Sequence, residues 1–221
     1  MSEFVPSLVL TATNLAQRIA ALPDTGARRV IAIAGPPGSG KSTLAEAVVA
    51  ELGKNGPAAA LMPMDGFHLD DRLLAARGLL TRKGAPETFD FGGLFATLQR
   101  ARHEASVFLP VFDRAREIAI AGASEIRPET RIVVVEGNYL CLDEDPWRAL
   151  APLWDMAVFL DVPMAVLKRR LIARWLAYGF DPAMAEAKAH GNDIVNAERV
   201  KKSVGQVDLI LAQKDMPTEL V

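Results

Sequence analysis

The sequence is poor in cysteine, in long apolar runs and in blocks of like charge, and each shortage argues against a class of protein. Cys141 is the single cysteine among 221 residues, so the chain cannot form an internal disulfide, which agrees with a reducing compartment. No apolar run approaches the ~20 residues that cross a bilayer. The N-terminal stretch carries Glu3 in place of the basic start of a secretion signal. We therefore expect a cytoplasmic protein that does not contact a membrane.

Charge is balanced over the chain. Lys and Arg number 25 against 27 Asp and Glu, which gives a formal net charge of −2. A nucleic acid or an anionic lipid surface would call for a basic cluster, and none stands out. The composition therefore favours a small-molecule partner and no nucleic acid. The chain is expected to act as a monomer or a homodimer.

Hydrophobic patterning predicts one α/β domain over residues 1–221. Short apolar runs typical of buried strands alternate with stretches of helical periodicity. Strands that alternate with helices pair in parallel through right-handed crossovers. The expected fold has three layers, with helices on both faces of a mainly parallel sheet. The predicted strands are 30–34, 58–64, 132–135, 156–160 and 207–211, and the predicted helices are 8–22, 41–52 and 92–102.

Two segments depart from this alternation. Residues 107–126 are predicted to form a β-ribbon, with Pro110 at an edge position and Gly122 turning the chain. Residues 163–203 form a long, charged helical stretch that is broken near Gly179 and Gly191. Because this stretch precedes the last strand, we expect it to be a helical lid.

The strongest motif is the run GPPGSGKST at residues 35–43, which matches G-x-x-x-x-G-K-[ST] between a predicted strand and a predicted helix. Glycines let backbone N–H groups wrap closely around phosphate oxygens, and the following helix adds its positive N-terminal end. Lys41 would then supply charge to the β- and γ-phosphates, and Ser42 would ligate Mg²⁺. The predicted nucleotide-binding residues are Gly35, Pro37, Gly38, Ser39, Gly40, Lys41, Ser42 and Thr43. An ordinary glycine-rich turn is the alternative.

Acidic residues end two other predicted strands, Asp65 after the second and Glu136 after the run RIVVV. Ligands of open parallel sheets bind at the carboxyl ends of the strands, so both carboxylates are expected near the γ-phosphate. Asp65 would orient an acceptor hydroxyl and take its proton. Glu136 would help to hold Mg²⁺. Each residue is followed by glycine, so a simple strand-terminating turn is the alternative for both.

The helix predicted after Pro163 carries Arg170 and Arg174 in one row, four residues apart. Arginines can neutralise the charge that spreads over a phosphoryl group in transfer, and a lid would bring them in and exclude water. A solvated face with Arg–Glu pairs is the alternative. Asn192 and Asp193, near the end of the same stretch, are predicted either to brace the lid or to cap a helix.

These motifs resemble the family of P-loop kinases that includes uridine kinase, phosphoribulokinase and bacterial pantothenate kinase. The resemblance spans residues 28–214 and includes MDGFHLDD, RKGAPETFD, LPVFDRA, VVVEGNYL, RRLIARW and GNDIVNAERV. It is strongest for a bacterial branch labelled fructose-transport-system kinase or nucleoside kinase-like. It implies transfer of a phosphoryl group from ATP, with Mg²⁺, to a hydroxyl of a small metabolite. It also implies that Asp65 is the base, that Ser42 and Glu136 lie at the metal, and that Arg170 and Arg174 lie in the lid.

The resemblance places the acceptor pocket at the segment RKGAPETFD, with Asp90. Two departures weaken a pyrimidine-nucleoside assignment: Trp175 and Tyr178 replace an acid and a third arginine of the uridine kinase lid, and Phe112 replaces a tyrosine near the base. A sugar is therefore the first expectation, with a nucleoside or pantothenate as alternatives. The other candidate acceptor contacts are hydrogen-bond donors, namely His68, Arg82, Lys83, Arg114 and Tyr139. For His68 a purely structural role is the alternative.

Two other functions compete with a kinase. A regulatory NTPase would use hydrolysis to drive partner binding, but the sequence has no N-K-x-D signature and no D-x-x-G switch after the second strand. A catalytically idle nucleotide-binding module is the other possibility. The intact phosphate loop, with its acidic and arginine partners, argues against it.

Overall fold

The computed structural model describes residues 12–56 and 58–212, and a five-stranded parallel sheet forms its centre. The strands, in chain order, are β1 (Arg29–Ala34), β2 (Ala59–Pro63), β3 (Val107–Asp113), β4 (Ile118–Ile126), β5 (Ile132–Gly137), β6 (Met156–Asp161) and β7 (Leu209–Ala212). Five of them lie side by side in the order β2-β5-β1-β6-β7, while β3 and β4 form a separate ribbon. Every residue of β5 is buried, as its run of β-branched side chains predicts.

Helices cover both faces of this sheet. They are α1 (Ala12–Ala20), α2 (Lys41–Asn55), α3 (Asp71–Ala76), α4 (Phe91–His103), α5 (Met164–Ala177), α6 (Pro182–Lys188) and α7 (Ile194–Lys202). Because neighbouring residues of a strand point to opposite faces, β1 divides its side chains between two cores. Ile31 and Ile33 pack with α1 and α2. Val30 and Ala32 pack in a second core with α4 and the ribbon.

The predicted α/β fold with a mainly parallel sheet is confirmed. Each predicted strand is present within one or two residues of its expected bounds, and the predicted helices 41–52 and 92–102 correspond to α2 and α4. Residues 8–11 of the first predicted helix lie outside the described residues. Over the described ranges, no helix has the length and apolar character that spanning a membrane requires.

The ribbon is present, but the prediction that Gly122 turns the chain is wrong. The turn lies at residues 114–117, where Glu117 has a φ of 56°. Gly122 lies inside β4 at a φ of 63°, where the register between the strands shifts beside Pro110. Proline cannot donate a ladder hydrogen bond, so the pairing is interrupted there. The glycine supplies the left-handed residue that this irregularity needs.

The helical stretch 163–203 breaks at Gly179, as predicted, where φ is 86°. It does not break at Gly191. Residues Ala189–Asp193 form a turn of π-helix that joins α6 to α7 without interruption, because the N–H of Ile194 bonds to the carbonyl of Ala189. A π-turn absorbs an extra residue while the hydrogen-bond ladder continues.

Candidate active site

The phosphate loop connects the end of β1 to the start of α2, and its backbone conformation and packing require glycine at three positions. Gly38 and Gly40 have φ values of 78° and 87°, a region that other residues rarely adopt. A Cβ on Gly35 would lie 2.8 Å from Ser39 Oγ and 3.1 Å from Leu160 Cβ. Gly38 and Gly40 are thus required by backbone conformation, and Gly35 by the close packing of the turn.

Glu136 lies against the phosphate loop. It is the penultimate residue of β5, in register with Ile33 of β1 and Pro63 of β2, and Ser42 Oγ donates to Glu136 Oε2 at 3.1 Å. The residue is only 5% exposed. Burial raises the pKa of the Glu136 carboxyl, while the positive charge of Lys41 lowers it. A buried carboxylate beside the Ser42 hydroxyl is suited to hold a cation.

Asp65 shares this rim of the sheet. It lies in a short 3₁₀ turn, Met64–Phe67, that follows β2, and it is near enough for its charge to raise the pKa of Glu136 further. The ribbon covers the next residue: a Cβ on Gly66 would lie 2.3 Å from the carbonyl oxygen of Pro110. From the ribbon turn, Arg114 Nη2 reaches Asp65 Oδ2 at 2.6 Å. The glycine after Asp65 is thus required by a close contact as well as by a turn.

His68 has a structural environment. Its Nδ1 lies 2.7 Å from the carbonyl oxygen of Asp65, which can only accept, so Nδ1 carries the proton. Its ring packs between Phe89 and Phe112, at centroid distances of 4.1 Å and 4.5 Å. Burial lowers the pKa of the imidazole. These contacts favour the structural role over an acceptor contact.

The remaining candidate acceptor contacts lie on the loop of residues 82–90 or, for Tyr139, bond to it, and most of their polar groups have partners. Lys83 bridges Asp71 and Glu117 at 2.7 Å and 3.0 Å. Tyr139 is fully buried and donates its hydroxyl to the carbonyl of Gly84 at 2.5 Å. Burial raises its pKa well above the ordinary value.

The other two members of this set lie at the ends of the loop. Arg82 reaches Asn192 Oδ1 at 3.0 Å. Asp90 is the N-cap of α4 and accepts from the N–H of Gly93 at 2.9 Å. Its side chain thus has a structural role that the sequence alone already allowed, since an aspartate before a helix is a common cap. Its part in an acceptor pocket stays a prediction.

The arginine helix α5 packs on the phosphate loop. Arg170 Nη1 donates to the carbonyl of Gly38 at 3.2 Å, and a Cβ on Gly38 would lie 3.3 Å from Leu171 Cδ2. Arg174, one turn later, instead pairs with Asp193 at 2.9 Å. The structure thus brings Arg170 to the phosphate loop. Arg174 is instead held by Asp193, the residue that immediately precedes α7.

Asn192 and Asp193 do not cap a helix. Asp193 has helical backbone angles and its side chain makes no capping bond, so that alternative is wrong. Both side chains instead brace neighbouring segments: Asn192 bonds to the 82–90 loop, and Asp193 bonds to α5. Asn196, which the sequence-based reasoning missed, supports Asn192 from four residues further along the helix. The recurrence of Asn at this spacing is the signal that could have revealed it.

Comparison with known proteins decides the family. The model of the Phosphoribulokinase / Uridine kinase family matches residues 30–178, more than half of the chain. The chain belongs to this family. It is therefore a kinase, a phosphotransferase that shares the P-loop kinase fold.

Individual relatives agree with this assignment. A crystal structure from Silicibacter sp. TM1040, named "putative fructose transport system kinase", is 47% identical with a TM-score of 0.88 and covers 91% of this chain and 98% of its own. Protein YggC of Escherichia coli (strain K12) is 37% identical over 186 residues, 83% of this chain and 77% of its own. A Schizosaccharomyces pombe protein named "Putative uridine kinase C227.14" is 32% identical over 203 residues, 86% of each chain.

P-loop kinases use ATP, generally with Mg²⁺, and the residues present here fit both. A Cβ on Gly40 would meet nothing within 4 Å, so the glycine turn is open at that position, and Ser42 and Glu136 offer oxygens to a cation from adjacent positions. Within residues 12–56 and 58–212, no three His, Cys, Asp or Glu side chains gather in a metal cluster. Mg²⁺ takes one or two protein ligands and completes its shell with phosphates and water, so Ser42 and Glu136 would suffice on the protein side.

Proposed function

We propose that this kinase transfers the γ-phosphoryl group of ATP to a hydroxyl of a small metabolite, with a sugar such as fructose as the first candidate. The proposal rests on three side chains that lie together at the carboxyl edge of the sheet, those of Ser42, Glu136 and Asp65. Ser42 Oγ lies 3.1 Å from Glu136, and Asp65 lies close enough to act electrostatically on that same carboxyl. A phosphate loop, a cation ligand and a base are thus adjacent.

Each residue then has one task. Bound Mg²⁺·ATP would supply the electrophilic phosphorus, with the cation at Ser42 and Glu136. Asp65 orients the acceptor hydroxyl and takes its proton as the new O–P bond forms and the bond to the β-phosphate oxygen breaks. Lys41 and Arg170 neutralise the charge of the transferring group. Arg174 joins them when the lid, residues 163–203, closes over the site.

The choice of a sugar rests on departures from the uridine kinase pattern and on one relative. Trp175 and Phe112 occupy positions where uridine kinases have an acid and a tyrosine, and here both side chains have structural contacts. The Silicibacter protein carries a name that refers to fructose transport. A nucleoside is the alternative because the Schizosaccharomyces relative is named a uridine kinase. Pantothenate stays a third candidate through the family resemblance.

Within the same proposal the enzyme works in the cytoplasm, as a monomer or homodimer, without a nucleic acid or membrane partner. The location rests on the single cysteine, which cannot form an internal disulfide. The alternative from a different functional class is a regulatory NTPase, which would use hydrolysis of the nucleotide as a switch.

An acceptor screen tests the proposal. Purified protein is supplied with Mg²⁺·ATP and, one at a time, with fructose, other sugars, nucleosides and pantothenate, and ADP release is followed. We expect slow ATP consumption alone and strong stimulation by one acceptor, lost in Lys41→Ala. Turnover that is rapid without acceptor and unchanged by every member of the panel would instead identify a hydrolytic switch.

A further inference from the structure

We propose that Asn192 and Asp193 are positioning residues that couple the 82–90 loop to the arginine helix α5, so that a ligand bound at one affects the other. The inference rests on the proposed function, because it takes the loop as the acceptor side and α5 as the source of charge for the phosphoryl group. It assigns to these two residues a task beyond holding the lid together.

Asn192 holds the loop at two points. Its Nδ2 donates to the carbonyl of Lys83 at 2.7 Å, and its Oδ1 accepts from Arg82 Nη1 at 3.0 Å. The neighbouring carbonyl, that of Gly84, accepts from Tyr139, which follows the Glu136 strand. Residues 82–84 are therefore held between the catalytic rim of the sheet and the helical stretch. A shift of the loop would be transmitted directly to Asn192.

Asp193 holds α5 in the same way. Its Oδ2 accepts from Arg174 Nη2 at 2.9 Å and from Trp175 Nε1 at 2.7 Å. Because these donors are successive residues of one helix, a single carboxylate fixes both the rotation of α5 and the direction of Arg174. The carboxylate is largely buried, with 15% of the side chain exposed, so water screens the contact less than it screens a surface pair.

The π-turn gives both residues their directions. Adjacent side chains of a helix point about 100° apart, and the widened turn at Ala189–Asp193 places Asn192 against the loop and Asp193 against α5. Single π-turns inside helices occur often at functional sites. The turn is supported from within: Asn196 is 1% exposed and donates to Asn192 Oδ1 at 3.2 Å. A buried polar side chain is thus used to fix the orientation of the amide that grips the loop.

The contacts continue to the nucleotide side. Helix α5 contacts the phosphate loop through Arg170 and Leu171 at Gly38. The connection therefore runs from the 82–90 loop through Asn192, Asp193 and α5 to the glycine turn. Such a connection makes binding at the two sites mutually dependent, since coupling between sites is reciprocal. For a kinase, it would delay full charge neutralisation until the acceptor is present.

Hydrogen exchange with one nucleotide probe tests the coupling without knowledge of the acceptor. Amide exchange of the full chain is measured with and without the Mg²⁺ complex of the β,γ-imido analogue of ATP. In the wild type we expect slower exchange in residues 35–43, in α5 and in residues 82–90. Couplings between sites are typically about 5- to 150-fold, so the slowing in 82–90 should reach about fivefold.

The variant Asn192→Ala should keep the nucleotide effect in residues 35–43 and α5 and lose it in 82–90. The lost hydrogen bonds will raise the basal exchange of the loop, as any structural role would. The readout is therefore the difference that the nucleotide makes. Asp193→Asn, which keeps an oxygen for Trp175 but no charge for Arg174, should weaken the same difference. The matched control is Glu186→Ala on the exposed face of α6, which should respond as the wild type.

Three outcomes separate the possibilities. An undiminished effect in 82–90 in Asn192→Ala would overturn the coupling. So would a wild-type loop that does not respond while residues 35–43 are protected. Absence of protection in residues 35–43 would overturn the proposed function itself. If Asn192→Ala does not fold, Asn192→Asp tests the same point, because it keeps an acceptor for Arg82 and loses the donor to Lys83.

Discussion

Arg114 Nη2 lies 2.6 Å from Asp65 Oδ2, although the two residues are 49 positions apart in the sequence. The arginine projects from the ribbon turn with 60% of its side chain exposed, whereas 21% of the Asp65 side chain is exposed. The ion pair joins the ribbon turn to the 3₁₀ turn that carries Asp65. It also sets a positive charge directly beside the carboxylate that we propose as the base.

The first prediction concerns the base. We expect Asp65→Asn to lower the rate of phosphoryl transfer about 10²- to 10⁴-fold, the range for loss of a general base. The affinity for ATP should stay within a few-fold, because the proposal assigns the carboxylate to the acceptor and not to the nucleotide. Initial rates with the acceptor from the screen, and ATP binding measured by calorimetry, check this. A parallel collapse of ATP binding would show that Asp65 belongs to the nucleotide site instead.

The second prediction concerns Arg114, the ion-pair partner of Asp65. Arg114→Met should lower kcat/KM for the acceptor roughly fivefold, since an exposed ion pair is worth at most about 1 kcal/mol. Arg116→Met is the matched control, because Arg116 lies in the same turn, has a similar exposure and pairs with Asp113. Steady-state kinetics with the acceptor varied should separate the two. Equal losses in both variants would mean that only the net charge of the ribbon matters.

The third prediction concerns the cation site. Glu136→Gln should raise the Mg²⁺ concentration at half-maximal activity about 10- to 100-fold, as loss of a metal-supporting group commonly does. Burial raises the pKa of Glu136, which means that the folded protein disfavours the charged form. The neutral variant should therefore melt no lower than the wild type at neutral pH. Glu51→Gln on α2 serves as a control, and an unchanged Mg²⁺ requirement would remove Glu136 from the metal site.

The sequence predicted the sheet, the phosphate loop and the strand-end carboxylates because each depends on local information. Strand periodicity, the spacing of the glycine motif and the position of an acid after an apolar run are all readable within a few residues. The ribbon turn was not readable in this way. Residues 114–117 contain no glycine or asparagine, and the left-handed residue is Glu117, whereas Gly122 carried the ordinary turn signal.

The contacts that complete the site could not be predicted because they join segments remote in sequence. Gly66 lies against Pro110, Arg114 pairs with Asp65, and Asn192 grips the 82–90 loop. Each depends on how the ribbon and the helical stretch lie on the sheet, which no local pattern specifies. Gly191 shows the same limit: a glycine is compatible with a helix break and with a π-turn, and the surrounding packing selects between them.

The fourth prediction follows from the close approach at Gly66. A Cβ there would lie 2.3 Å from a backbone oxygen, which cannot rotate away as a side chain would. We expect Gly66→Ala to lower the free energy of unfolding by about 1–3 kcal/mol, the range for overpacking, and to impair transfer by moving Asp65. Gly53→Ala in α2 is the control, since a Cβ there meets nothing within 4 Å. It should stabilise the protein by about 0.5–1 kcal/mol, and urea unfolding of both variants measures the contrast.

The last prediction concerns pH and His68. Burial lowers the pKa of His68 below its ordinary value of 6.5, so the unfolded chain takes up a proton that the folded protein resists. Stability is therefore fully present above pH ~6.5 and falls as the pH falls through that value toward the lower folded pKa. His68→Asn keeps a donor near the carbonyl of Asp65 and has no titrating group, so it should lose less stability on acidification.

Urea unfolding at about pH 7.5 and about pH 5.5 measures this effect. Each tenfold difference in proton affinity between the folded and unfolded states is worth about 1.4 kcal/mol, so the wild type should show the steeper loss. His103→Asn, at the exposed end of α4, controls for the removal of a histidine. If His68→Asn and the wild type lost stability equally, the acid sensitivity would lie in other groups, and the imidazole between Phe89 and Phe112 would have to accept its proton without cost.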